Sequence, residues 1–211
     1  MAKPLWGIDL GGTKIEGVVL QPEAKPNVLA RLRIPTESAR GYEHIISQIK
    51  KVIGMLSVQT GLQPELIRIC TPGTLDPITQ TLKNSNTQCL NGKPFKQDLE
   101  QALQISIRIA NDANCFALAE ANMGVVQEIL PKAEVVFGVI LGTGVDGGVV
   151  VHNKVINGRQ GIGGEWGHNV LDVSGGPCYC GKTGCVEKVI SGPALENYYQ
   201  SISGKTYVCQ K

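Results

Sequence analysis

The chain has 211 residues, of which 42% are hydrophobic and 18% charged, and a formal net charge of +2. Such a chain can bury one large core or two small ones, which excludes a disordered or low-complexity protein. The near-neutral balance excludes a strongly electrostatic nucleic-acid or membrane-surface binder, and no apolar run is long enough to span a bilayer.

The first elements are short. Leu5 to Leu10 reads as a strand, followed by the turn Gly11-Gly12 and a second strand over Lys14 to Leu20. Pro22 and Pro26 then break the chain before a third strand from Val28 to Ile34. Strand, glycine turn, strand predicts a β-hairpin. Ile45, Ile46, Ile49, Val52, Ile53 and Leu56 have helical spacing, closed by Gly61. Leu66 to Cys70 is a strand cut off by Pro72-Gly73, and Asp76 to Gly92 reads as a polar, turn-rich loop. Phe95, Leu99 and Leu103 mark a helix, and Ile105, Ile107 and Ile109 alternate as in a half-buried strand.

The second half starts at Asn111-Asp112, which lead into a helix through Phe116 and Glu120. Val135 to Leu141 is a wholly apolar strand, Val149 to His152 and Lys154 to Ile156 form a hairpin, and Pro193 to Ser201 is a helix near a Ser191 or Gly192 cap. The order strands, helix, strand, helix, strand begins again after Asp112. That recurrence predicts two related α/β lobes, residues 1–110 and 111–211.

Glycine is about one residue in eight, with fourteen of 26 between Gly138 and Gly184. An excess packed into one stretch points to backbone approaching a ligand. The N-terminal apolar stretch is short and interrupted by Asp9, so no secretory signal is expected, and the seven cysteines are read as reduced, in a cytoplasmic protein. Cys70, Cys89, Cys115 and Cys209 are scattered and read as small hydrophobes, whereas Cys178, Cys180 and Cys185 are clustered.

Five motifs carry chemistry. In Asp9-Leu10-Gly11-Gly12-Thr13-Lys14 the glycines let backbone N–H groups approach a phosphate, Thr13 and Lys14 add donors, and Asp9 is placed to orient hydrated Mg²⁺. An ordinary hairpin turn is the competing reading. Gly142-Thr143-Gly144 opens a string that satisfies G-x-G-x-x-G, but Val149-Val150-Val151 follows instead of a helix, so a dinucleotide fold fails on context. Two glycine hairpins of one architecture suit a polyphosphate better than either alone. His168 with Cys178, Cys180 and Cys185 supplies one imidazole and three thiolates, a closed tetrahedral zinc set, against the alternative of three unliganded thiols. Glu165 and Glu187 flank that loop and suit a polyol, or are solvated surface charges. Asp112 is placed to take a proton from an attacking hydroxyl, or simply to begin a helix.

These elements, in this order, resemble the ROK sugar kinases (repressor, open reading frame, kinase), which have the two-lobed actin-like, ribonuclease H-like ATPase fold. The resemblance rests on Gly7-Ile8-Asp9-Leu10-Gly11-Gly12-Thr13-Lys14, Asn111-Asp112-Ala113-Asn114, Gly142-Thr143-Gly144, Gly164-Glu165-Trp166-Gly167-His168 and the segment from Cys178 to Cys185. It implies ATP-dependent phosphorylation of a hexose hydroxyl, the 6-hydroxyl first, with fructose, mannose and glucose as candidates. It implies Asp112 as catalytic base; Asn111, Glu165, His168, Glu187 and the Gly73 backbone around the sugar; Asp9, the Gly11-Gly12-Thr13-Lys14 turn and Gly142-Thr143-Gly144 around ATP and its Mg²⁺; and structural Zn²⁺ on His168, Cys178, Cys180 and Cys185. Leu82-Lys83-Asn84-Ser85-Asn86, Leu90-Asn91-Gly92 and Pro177-Cys178-Tyr179-Cys180 look most like the fructokinase/mannokinase branch. A homodimer is expected because the family often dimerises.

Two departures are visible. Asp146 stands where the family usually has a small residue. After Lys205 the family continues with helices and an adenosine-binding glycine segment, whereas Thr206 to Lys211 has no helical periodicity, so the expectation is a shortened chain with an incomplete second lobe. Two alternatives follow: an inactive sugar-binding form, and a sugar-responsive regulator, which lacks room here for a helix-turn-helix before Leu5.

Overall fold

The computed structural model describes residues 3–23 and 26–208. The chain divides into two units, Met1–Asp112 and Ala113–Lys211. Cys209 lies outside the described residues.

The first unit is built on a five-stranded sheet ordered β3-β2-β1-β4-β7. Strands β1 (Leu5–Leu10), β2 (Lys14–Gln21) and β3 (Asn27–Pro35) form an antiparallel meander, the bulge between Val19 and Leu20 bending its outer edge. Helix α1 (Tyr42–Thr60) follows and ends on Gly61 in the left-handed conformation. It returns the chain to β4 (Leu66–Thr71), parallel to β1. Small strands β5 (Thr74–Leu75) and β6 (Leu82–Lys83), helix α2 (Phe95–Leu103) and strand β7 (Ser106–Asn111), parallel to β4, complete the unit. Ile45, Ile49, Val52 and Leu56 sit one helical turn apart and are fully buried with Ile8, Ile15, Val19, Ile67 and Ile69 of the sheet.

The Asp76–Gly92 segment is turn-rich, as the sequence reading has it, and is in addition a folded platform with buried residues. Leu82 and Leu90 are fully buried, Leu82 exchanges backbone hydrogen bonds with Lys93 (2.9 Å) and Gly92 (2.7 Å), and Ser85 and Thr87 are buried polar residues. Two isolated leucines among polar residues carry no periodicity, so the pattern hid them.

The second unit opens with α3 (Asp112–Met123), whose first residue closes the first unit, and a short helix α4 (Val125–Ile129). Its sheet has the order β10-β9-β8, from β8 (Val135–Leu141), β9 (Val145–Val151) and β10 (Lys154–Val155). Strand β9 starts at Val145, four residues before the expected Val149, and so takes in Asp146, Gly147 and Gly148. Glycine is normally weak in strands, but a Cβ at Gly148 would lie 2.6 Å from the Ala113 carbonyl oxygen and one at Gly138 2.7 Å from Ala117 Cβ. The missing side chains let α3 lie directly on the sheet. His152 and Asn153, both at positive φ (47° and 61°), make the expected β9–β10 turn. Strand β8 is apolar throughout, but Val135, Phe137 and Leu141 are exposed in alternation. Helices α5 (Val186–Ile190) and α6 (Gly192–Ser203) finish the unit, with the Ser191 side chain capping α6 at the Ala194 N–H (3.3 Å). No helix among the described residues is long and apolar enough to cross a membrane.

Candidate active site

In the first unit the parallel register aligns the carboxyl ends of three strands. Asp9 of β1 pairs with Cys70 of β4, and Thr71 of β4 with Asn111 of β7. The Gly11-Gly12 turn, the Thr71-Pro72-Gly73 corner and the Asn111-Asp112 junction therefore share one end of one sheet, where open α/β sheets bind ligands.

The first turn is held from one side. The Thr36 hydroxyl donates to the Gly11 carbonyl (2.7 Å), the Ser38 hydroxyl to the Gly12 carbonyl (3.0 Å), and the Thr36 N–H to the Thr13 carbonyl (3.0 Å). In a trans peptide the C=O and the following N–H point in opposite directions. Fixing these carbonyls therefore turns the N–H groups of Gly12, Thr13 and Lys14 away from Thr36 and Ser38, as an anion cradle requires. Sequence reasoning missed Thr36 and Ser38; both lie more than 20 residues from the turn they orient, and only strand pairing brings them back. Asp9 keeps its carboxylate open to solvent, yet crowding by protein atoms and then Glu16, opposite it on β2, push its pKa up, against Lys14 and Arg33.

Gly73 sits at φ 82°, and a Cβ there would fall 2.3 Å from the Lys83 carbonyl oxygen and 2.7 Å from the Ser85 N–H nitrogen. Conformation and space both demand glycine. The platform that Gly73 packs on also reaches the first turn, since a Cβ on Gly12 would lie 3.4 Å from Thr87 Oγ1. Asn111 is buried and its amide donates to Asp112 Oδ1 at 3.2 Å, which orients the carboxylate at the first residue of α3.

In the second unit the Gly142-Thr143-Gly144 turn closes through the Gly142 N–H to the Gly144 carbonyl (2.9 Å), while the Gly192 N–H at the start of α6 donates to the Gly142 carbonyl (2.8 Å). Glu187 accepts the Val145 N–H at 3.2 Å. Trp166 donates from Nε1 to the Asp146 carbonyl (3.1 Å) and meets Phe137 edge-on, seating the Gly163–His168 loop on β9. Asp146 is one of the departures seen in the sequence. Burial and then the Glu187 charge push its pKa up, against Glu165 and His168. A cavity of ≈ 710 Å³ opens beside Thr143 and runs along α5 and α6 past Glu187, Leu195, Asn197 and Tyr198.

His168, Cys178, Cys180 and Cys185 place their ligand atoms within 4.8 Å of one another. Cys180 and Cys185 sulfurs are 3.6 Å apart, and Cys178 Sγ is 3.5 Å from His168 Nδ1. A tetrahedral zinc with Zn–S near 2.3 Å separates its sulfurs by about 3.8 Å, so the residues fit the ion. A hydrogen bond from the Lys182 backbone lowers the Cys180 pKa, whereas burial pushes Cys185 up to about 12. His168 turns Nδ1 to the thiols and Nε2 to the Tyr179 hydroxyl (3.0 Å), a contact the sequence did not signal. The scattered Cys70, Cys89 and Cys115 are half-buried.

The ROK family model matches residues 5–211. The chain belongs to the ROK family. It is 36% identical over 210 residues to an N-acetyl-D-glucosamine kinase of Pectobacterium atrosepticum, covering 95% of this chain and 66% of that protein. The ROK hexokinase from Thermus thermophilus superposes with a TM-score of 0.78 at 31% identity, covering 98% of this chain and 66% of the other. A ROK family glucokinase from Streptomyces griseus, solved with glucose and AMPPNP, gives 0.79 at 30% identity, over 96% of this chain and 62% of that one. The fold is thus the actin-like ATPase fold of the ROK sugar kinases, and the chain spans just under two thirds of the length of these relatives.

Proposed function

We propose that this ROK protein transfers the γ-phosphoryl group of ATP to a hexose hydroxyl. The observation that carries the reading is the Asn111-Asp112 junction: a carboxylate oriented by a buried amide, at the end of the sheet that also carries the first glycine turn. Phosphoryl transfer asks a protein mainly for positioning and charge stabilisation. Asp112 takes the hydroxyl proton as the oxygen attacks. Asn111, Glu165, His168, Glu187 and the Gly73 backbone hold the sugar. The N–H groups of the Gly11–Lys14 turn and of Gly142-Thr143-Gly144 receive the phosphates, and the cavity beside Thr143 takes the nucleoside half. Asp9 would orient the hydrated Mg²⁺ that accompanies ATP. Zinc on His168, Cys178, Cys180 and Cys185 is structural, because four protein ligands leave no position for a reacting water.

For the sugar, the names of the relatives favour glucose or N-acetylglucosamine, while the Leu82–Asn86 segment favours fructose or mannose; the 6-hydroxyl is the proposed acceptor. The reading places the protein in the cytoplasm, with reduced thiols, and leaves a homodimer as its assembly. A second reading is sugar binding without turnover. The test is ADP release by the purified protein with MgATP and glucose, N-acetylglucosamine, mannose and fructose in turn. Sugar-dependent release supports transfer. Calorimetric sugar binding without release supports the second reading, and the absence of both binding and release overturns both readings.

A further inference from the structure

The Val145 N–H has an unusual partner for a residue in a strand. Along the β8–β9 ladder the backbone bonds Gly142 N–H to Gly144 (2.9 Å) and His152 N–H to Glu134 (2.8 Å) mark the hydrogen-bonded pairs. Leu141 and Val145 face each other one step from the first of these. Antiparallel ladders alternate, so the Val145 N–H points away from β8. Strand β10 pairs only with Val150 and Val151 and does not reach this far. The place of a neighbouring strand is taken by Glu187, whose Oε2 accepts the Val145 N–H at 3.2 Å. Beside it, Gly167 packs its Cα against the Val145 carbonyl; a Cβ there would lie 1.9 Å from that oxygen. The Gly167 carbonyl in turn accepts the Glu187 N–H at 2.9 Å. The Glu187 carboxylate also occupies the volume of a side chain at Gly144, since a Cβ there would lie 2.6 Å from Oε2.

We propose that Glu187 is a positioning residue for the second phosphate turn: its carboxylate replaces a missing strand at Val145 and ties the Gly142-Thr143-Gly144 turn to the Gly163–His168 loop. This deepens the proposed function, on which it rests for the meaning of turn and loop. Under that reading Glu187 touches the sugar and orders the turn at once. Sugar and nucleotide sites are then coupled through one side chain, and a methyl group on the phosphate turn disturbs the sugar site.

Gly144 has no positive φ, and its neighbour within 3 Å is the far end of a flexible side chain. Gly144→Ala therefore fits the backbone and acts by pushing the Glu187 carboxylate off Val145. Glu187→Gln keeps an accepting oxygen, and Glu187→Ala removes it. The test is amide hydrogen exchange of Val145, followed by NMR on the unliganded full chain, with Val150 as an internal control. Val145 exchange accelerates on the order of 10-fold or more in Glu187→Ala and in Gly144→Ala, as loss of a protecting hydrogen bond requires. It stays near wild type in Glu187→Gln, and Gly144→Ala adds nothing in the Glu187→Ala background. Wild-type exchange in Glu187→Ala, or additive effects of the two substitutions, overturns the proposal. In kinetics, Gly144→Ala raises KM for the hexose as well as for ATP; an effect on ATP alone contradicts the coupling. The exchange readout needs no turnover, so a chain that binds neither ATP nor hexose defeats the proposed function while this measurement still decides the role of Glu187.

Discussion

Gly17 on β2 faces α1, and its lack of a side chain sets how closely that helix approaches the hairpin carrying the Gly11-Gly12 turn. A Cβ at Gly17 would lie 2.5 Å from Val52 Cγ1, 2.7 Å from Leu56 Cδ1 and 3.2 Å from Ile8 Cδ1. Carbon atoms pack best at about 3.5–4.0 Å, so Gly17→Ala overlaps two fully buried side chains by roughly 1 Å. Overpacking of this kind costs about 1–3 kcal/mol, offset by up to about 1 kcal/mol from the stiffer unfolded chain. A net loss near 1–2 kcal/mol lowers the melting temperature of a unit of this size by about 5–15 °C. Urea and thermal denaturation of Gly17→Ala check the value. Val52→Ala opens the space, so the double substitution is less destabilising than the sum of the two by at least about 0.5 kcal/mol. An unchanged midpoint in Gly17→Ala, or strictly additive losses, refutes the packing argument.

Other consequences follow from the surface and the thiol cluster. Elemental analysis should find roughly one zinc per chain, lost in Cys180→Ser together with ordered structure in the Gly176–Cys185 loop; metal-free protein that binds hexose normally contradicts the structural role. Glu16 is partly desolvated, which raises its pKa, but hydrogen bonds from Arg33 and Arg31 outweigh this and hold it below its ordinary value. A depressed carboxylate stabilises above the unfolded pKa, about 4.3, and loses that contribution as pH falls through the lower folded value. Glu16→Gln therefore lowers the urea midpoint at pH 7 and converges with wild type in strong acid; an equal difference at both pH values contradicts the linkage.

Much of the first unit was legible because its elements are amphipathic. The isoleucines of α1 repeat at helical spacing, and Gly61 marks the end of that helix. The Asp76–Gly92 platform was not legible, because its shape comes from local bonds such as the Asn91 side chain to the backbone of Ser85 and from two buried leucines without a period. In the second unit a run of apolar residues could not reveal which face of β8 stays exposed, and Gly147-Gly148 concealed the start of β9. Short helices such as α4 and α5 make too few turns to show a stripe. For the site, clustering in sequence brought out the group His168, Cys178, Cys180 and Cys185 and both glycine turns. Thr36, Ser38 and the Tyr179–His168 contact depend on tertiary approach, and nothing local announces them.

We propose Asp112 as the base that removes a proton from a hexose hydroxyl during transfer from ATP. The most direct test compares wild type with Asp112→Asn, measuring hexose binding by calorimetry and turnover by coupled ADP release. Asparagine keeps the shape and the partnership with Asn111 but cannot accept the proton, so binding persists while kcat falls roughly 10²- to 10⁴-fold. Near-normal turnover in Asp112→Asn would contradict the account.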